Sequence, residues 1–178
     1  MTIILVPTPC SHQVDLGPFK HLVDDGLELR KAAFECMDTL LDTLPEPLEP
    51  TAFIERLLDG LRDDHEVRVL CHTMLGRIAV SSGAPALLAA LDSFVEPLRL
   101  TLSQKLKDNA VKQQIDRHEE LLRSAMRAAR ALEKLAEAGL STKFDEFVRS
   151  MLRGGIHGEK YAAIIAEEQM KPSDDIHI

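Results

Sequence analysis

The sequence predicts an all-α fold of the HEAT/armadillo-like kind, a helical repeat solenoid, and three observations carry that reading. Aromatic residues make up only 4% of the chain and Trp is absent, so the core must be built from Leu, Ala, Ile, Val and Met, which favours many helices over a sandwich. Apolar residues recur at three- and four-residue steps along most of the chain. A single shift lays Asp25, Glu28, Leu29, Arg30 and Ala33 on Asp63, Glu66, Val67, Arg68 and Cys71, an internal repeat of about 40 residues, the period of HEAT and armadillo units.

The least helical stretch is residues 1–23. Pro7 and Pro9 break an apolar opening, and HQVDLGPFKHLV, residues 12–23, reads as two short strands meeting at Gly17 and Pro18. The alternative is an irregular lead-in to the first helix. A two-stranded hairpin is marginal by itself, so it must rest on the helices or order when a partner binds. The first helix is predicted over 27–44, entered through Asp24 and Asp25 as capping carboxylates and stopped by Pro45. Its apolar positions are Leu29, Ala33, Cys36, Met37, Leu40, Leu41 and Leu44, widened by Ala32 and Phe34. Such a helix needs cover on more than one side.

Pro45, Pro47 and Pro50 make a stiff connector, with Pro50 suited to the first turn of a helix over 51–61 that turns Ile54, Leu57, Leu58 and Leu61 inward. Asp63 and Asp64 open the next helix, 65–81, where Val67, Leu70, Cys71, Met74, Leu75, Ile78 and Ala79 form the core face and Gly83 closes the segment. Residues 84–102 are helical in pattern, with a kink or break expected at Pro97. After a basic connector at 105–112, the longest helix is predicted over 111–138, with Ile115, Leu122, Met126, Ala129, Leu132 and Ala136 inward and Gly139 as its stop. Residues 141–153 present Phe144, Phe147, Val148, Met151 and Leu152. A glycine-rich break then leads to a last helix carrying Tyr161, Ile164 and Ile165. The organisation is therefore a lead-in with the hairpin at 1–23, a helical repeat domain at 24–170 and a frayed tail at 171–178. In this frame the first helix stands where the second member of a pair belongs.

Chemistry-bearing constellations are absent from the pattern. The seven histidines are scattered and none pairs with another at i, i+4, so neither a metal nor a cofactor is expected. There is no GxSxG elbow, and Gly154, Gly155 and Gly158 are not followed by the Lys-Ser or Lys-Thr of a phosphate loop, so a helix-to-helix turn is the simpler use. Cys10, Cys36 and Cys71 form no CxxC and read as buried thiols. No enzyme is predicted. Arg30, Arg68 and Arg123, each near the start of an inner helix, are expected to pair with acidic groups of neighbouring units.

Net charge of −8 argues against general nucleic-acid binding, yet its distribution is uneven. Residues 1–64 carry 5 basic and 13 acidic side chains, net −8, and residues 99–134 carry 9 basic and 5 acidic, net +4. A protein partner of mixed charge fits this best. Lys105, Lys107, Lys112, Arg117, Arg123, Arg127 and Arg130 read as a solvated helix face, with a docking surface as the alternative. No apolar run approaches the roughly 20 residues that span a bilayer, and MTIILVPTP lacks the basic flank of a secretory signal, so a cytoplasmic and nuclear protein without membrane contact is expected. Phe19, beside Pro18 at the hairpin tip and outside any helical face, is a candidate anchor for a partner's pocket.

Two blocks carry a family resemblance. GPFKHLVDDGLELRKAAFECMDTLLD, from Gly17 to Asp42, and the stretch from Phe94 to Ala128 containing VEPLR, NAVKQ and RSAMRA, together resemble the C-terminal end of the cullin-associated and neddylation-dissociated proteins, also called TATA-binding-protein-interacting proteins. The similarity is looser elsewhere but runs to about Met170. It implies a HEAT-repeat protein that wraps the scaffold of a cullin-RING ubiquitin ligase in its unneddylated form and assists exchange of substrate receptors. It also implies that the last repeats meet the cullin's N-terminal region, where a hairpin takes the place of the substrate adaptor. On this sequence that hairpin falls on Val14, Asp15, Leu16, Gly17, Pro18, Phe19, Lys20 and His21. The family's older name implies the other reading, a transcription-related module that binds the TATA-binding protein.

The sequence departs from the family by lacking its long N-terminal repeat array, and residues 1–13 do not look like the family's upstream strand and helix. Either the sequence is a fragment of a longer member, or it is a short or split member that works with a separately encoded N-terminal portion of the same family.

Overall fold

The two helices related by the internal repeat lie side by side and run parallel. A computed structural model describes residues 11–16, 19–43, 49–136 and 140–170, with side chains from residue 24 onward. Within it, α1 (Leu27–Thr43) packs on α3 (His65–Ile78), and α2 (Pro50–Gly60) returns the chain between them and packs on α3. Ion pairs fix the direction: Arg30 at the start of α1 meets Asp63 just before α3, while Asp38 and Asp42 late in α1 meet Arg77 late in α3. Corresponding helices of successive repeats should stand in this way. The chain divides into two compact units, Met1–Leu87 and Leu88–Ile178.

In the first unit the core is Phe34 and Met37 from α1, Phe53, Ile54, Leu57 and Leu61 from α2 and its C-cap, and Val67, Cys71, Met74, Leu75 and Ile78 from α3. Glu49 precedes α2 with Pro50 in its first turn, as the sequence suggests. Gly60 is required by close approach: a Cβ there would stand 2.5 Å from both the Cys71 sulfur and the Phe34 ring. The α3 helix ends three residues early because Ser81 Oγ donates to the Ile78 carbonyl and accepts from the Gly83 N–H, forming a turn.

Several sequence expectations for α1 need correction. Its buried line is Arg30, Phe34 and Met37, whereas Leu29 is 61% exposed, and Ala32 and Cys36 are exposed too. The inner face is rotated because it is centred on a buried arginine, which a hydrophobic pattern scores as outside. Of the thiols, Cys71 is buried and burial pushes it up, which keeps it protonated, while Cys36 is not the buried thiol expected. Cys10 lies outside the described residues, as do the stop signals Pro45 and Gly139 and the tail from 171.

The helix α4 (Ala84–Ala89) spans the division between the units, and the second unit continues through α5 (Leu91–Leu102), α6 (Lys112–Leu135), α7 (Thr142–Phe147), a π-helical segment (Val148–Arg153) and α8 (Gly158–Met170). The break expected at Pro97 falls instead at Ala90, and α5 runs through Pro97. There Leu91, Phe94, Val95, Leu98 and Leu102 are all buried, and packing of that face on α6 and α7 outweighs the lost hydrogen bond. The π-helical segment has a similar cause. One extra residue in the turn brings Leu152 fully inside after Phe144, Phe147 and Val148, leaving Met151 half-buried, and its closing bond runs from Gly154 N–H to the Arg149 carbonyl at 2.8 Å.

In α6 the buried residues are Leu121, Leu122, Ala125, Met126, Ala128, Ala129 and Leu132. Ile115 is 41% exposed, contrary to the predicted stripe, because the first two turns of α6 lie beyond the elements that cover its middle. Inside this unit His157 Nε2 donates to the Leu102 carbonyl at 2.8 Å, tying the loop before α8 to the end of α5. Among the described residues no helix is long and apolar enough to cross a membrane.

Candidate protein-interaction surface

The strands β1 (Ser11–Leu16) and β2 (Phe19–Asp24) pair antiparallel, Leu16 opposite Phe19, Asp15 opposite Lys20 and Val14 opposite His21. Six of the eight residues assigned to the hairpin site thus fall in one ribbon, while Gly17 and Pro18 lie outside the described residues. The pairing continues through Gln13 with Leu22, His12 with Val23 and Ser11 with Asp24, so the ribbon extends beyond the eight assigned residues. The strand period of two sorts these positions into two sets. One set holds Leu16, Phe19, Val14, Val23, His12 and His21; the other holds Asp15, Lys20, Gln13, Leu22, Ser11 and Asp24. The first set is the more apolar in composition and the second the more polar.

The base of the ribbon is held by a buried arginine. The Arg30 guanidinium reaches Asp24 at 2.6 and 3.1 Å and Asp63 at 2.7 and 2.8 Å, a two-pronged bond on each side, and the residue is 2% exposed. The hydrogen bonds it donates to Asp63 first, then to Asp24, hold the guanidinium still more firmly charged than an ordinary arginine. Asp24 also accepts the Gly26 N–H at 3.0 Å, closing the turn from β2 into α1. Beside it, Lys31 bridges to Glu66 at 2.5 Å and to Glu28 at 3.1 Å.

This arrangement revises two sequence readings. Asp24 and Asp63 were expected as helix caps; their carboxylates instead close on Arg30, and Asp64 caps α3 by accepting from Glu66 N–H. Pairing of Arg30 and Arg123 with acidic groups of the neighbouring helical repeat does occur, the former with Asp63 at 2.7 Å and the latter with Glu167 at 3.0 Å, each inside its own compact unit. The signal for the clamp was present in the internal repeat, where an acid and an arginine recur together in DDGLELR and DDHEVR.

The basic cluster is divided. Arg123 and Arg127 both meet Glu167, and Arg130 meets Glu133 and Glu168, so these three are engaged within their unit, while Lys105, Lys107 and Lys112 stand exposed. Glu133 also takes bonds from Arg153 and from the Tyr161 hydroxyl. Burial pushes its carboxyl up, but those three donors together hold it below the usual carboxylate range.

His72, 2% exposed, is held neutral, its pKa pulled down to about 3 by burial, with Arg68 and His65 adding to the effect. Among the described residues no group of three or more His, Cys, Asp or Glu stands together as a metal site would require.

Comparison with known proteins places this geometry in a family. The family model described as TATA-binding protein interacting (TIP20) matches residues 5–152. The chain is 45% identical over 165 residues to "Cullin-associated NEDD8-dissociated protein 1" of Dictyostelium discoideum, covering 92% of this chain and 13% of that protein. It is 47% identical over 152 residues to the Arabidopsis thaliana protein of the same name, covering 85% of this chain and 12% of that one. To "Cullin-associated NEDD8-dissociated protein 1, C-terminal part" of Emericella nidulans it is 36% identical over 122 residues, 68% of this chain and 12% of that protein. It spans only a small fraction of the length of each. With a match running from the hairpin through the π-helical segment, the chain belongs to the TATA-binding protein interacting family, as the C-terminal domain of the cullin-associated NEDD8-dissociated proteins.

Proposed function

We propose that the chain binds the N-terminal region of a cullin in an unneddylated cullin-RING ubiquitin ligase and occupies the adaptor's site there, assisting substrate-receptor exchange. The observation that carries this is a ribbon with one apolar set of register positions, Val14, Leu16, Phe19 and Val23, anchored to the helical unit in a chain related along its length to proteins named for cullin association. The mechanism is steric and reciprocal: each ligand weakens the other by the same coupling free energy. It acts in cytoplasm and nucleus, without enzymatic chemistry. The exposed line Leu29, Ala32 and Cys36 on α1 is where a preceding helix of a separately encoded N-terminal portion would stack, a reading supported by the "C-terminal part" in the name of the Emericella relative.

The test is titration of the purified chain against an unmodified cullin-RING scaffold, alone and with saturating adaptor. Binding that the adaptor abolishes is the expected result, and Phe19→Ala is expected to weaken that competition with helicity intact. Binding unaffected by adaptor overturns the reading. A second reading, a module for the TATA-binding protein, is favoured by the family description and by the acidic first third of the chain. It predicts salt-sensitive binding to that basic partner in the absence of any cullin.

A further inference from the structure

We propose that Arg30 is a positioning residue for the hairpin: its bond to Asp24 fixes the direction in which the ribbon leaves the helices, and its bond to Asp63 serves stability alone. This rests on the reading above for its functional consequence, though not for its geometry.

The covalent link from β2 to α1 is only Asp25 and Gly26, whose φ and ψ angles are the soft joints of the connection. The ribbon is a sheet of two strands bonded to each other, an element that is marginal without an anchor. Arg30 lies in the first turn of α1, where its N–H bonds the Gly26 carbonyl at 3.0 Å, so its backbone is fixed on the helix side of the joint. Its guanidinium returns across the joint to the last residue of β2 with two parallel bonds, and two bonds define a plane where one would allow rotation. The remaining edge of the same planar group is held by Asp63 from the start of α3. The end of the ribbon is thereby referred to α1 through one planar group, the geometry a competitor needs if its tip is to meet a fixed site.

The two halves of the clamp can be cut separately. Asp24→Asn keeps an oxygen for the Gly26 N–H but removes the charge that Arg30 grips; Asp63→Asn leaves the hairpin side intact. Each variant is measured for backbone amide exchange along Phe19–Asp24, for unfolding midpoint, and for cullin affinity with and without adaptor.

For Asp24→Asn, exchange in β2 is expected to quicken by about tenfold and adaptor competition to fall by a similar factor, with cullin affinity in the absence of adaptor changed much less. For Asp63→Asn the midpoint is expected to fall while β2 exchange, relative to α3, and the ratio of competition to affinity stay as in the parent chain. Equal effects of the two substitutions on competition, or β2 exchange indifferent to Asp24→Asn, overturn the proposal. If the parent chain does not bind the cullin at all, the functional reading fails by itself and the exchange measurement still decides whether Arg30 positions the ribbon.

Discussion

Arg30 and Arg127 are both arginines bridging helices to carboxylates, and they differ in nearly everything that decides what a bridge is worth. Arg30 is sealed at 2% exposure between two aspartates; Arg127 shares Glu167 with Arg123 on the surface of α6 and α8, where all three side chains are about half exposed. In the first case a removed partner leaves charge stranded where water reaches it only in part, the Asp63 side chain being 11% and that of Asp24 29% exposed, and in the second water takes over. Burial, more than the number of bonds, separates a structural clamp from a solvated contact.

The largest expected effect comes from stranding that charge. Arg30→Met leaves Asp24 and Asp63 facing an apolar chain and is expected to cost about 3 kcal/mol in urea denaturation of the first unit. A loss below about 1 kcal/mol would place Arg30 in the class of Arg127. Next comes Gly60→Ala, which drives a methyl into Phe34 and Cys71, with an expected cost of about 2 kcal/mol by the same assay.

Acid supplies the next probe, since His72 is another polar group hidden on this side. Its folded pKa of about 3 lies below the unfolded value, so the unfolded chain binds the extra proton and stability is lost as pH falls from about 6.5 toward 3. The expected slope is at most about 1.4 kcal/mol per pH unit, and His72→Phe should flatten it. In the second unit, Glu133 has a lowered pKa, so its stabilising effect is lost only when pH falls through the acid carboxylate range, which Glu133→Gln should remove. The smallest effect is expected for Arg127→Ala, within about 0.5 kcal/mol and vanishing in high salt. A large effect there would erase the contrast.

Sequence pattern was most informative where burial and hydrophobicity coincide. The apolar spacing located α2, α3 and α8 closely, since Leu57, Met74 and Ile164 are what such spacing detects. It failed where a polar residue is buried or an apolar one is not. Arg30 and His72 are inside, and Leu29, Ile115 and Cys36 are outside, because their surroundings are made by distant segments that a local window does not contain. The break at Ala90 and the π-helical turn at Val148–Arg153 belong to the same class: each is set by the fit of a helix against its neighbours. For the candidate site, the Gly-Pro and its flanking alternation marked the ribbon. Its anchor was half-visible as a repeated acid and arginine: the pairing of Arg30 with an acid of the next repeat was legible, while Asp24 and Asp63 read as helix caps.

The paired ends of α1 and α3 carry one more consequence. Along α1 the charges run from Arg30 to Asp38 and Asp42, and along α3 from Asp63 to Arg77, so the two helices bear opposite sequences of sign when parallel. Reversing one helix would set Arg30 against Arg77 and aspartate against aspartate. Sliding one by a turn, about 5.4 Å, would unpair both ends together while leaving leucines and methionines free to find new contacts. Apolar faces tolerate such slips and charges do not, so this pair of staples excludes the wrong orientations of a repeat whose hydrophobic surface alone permits several.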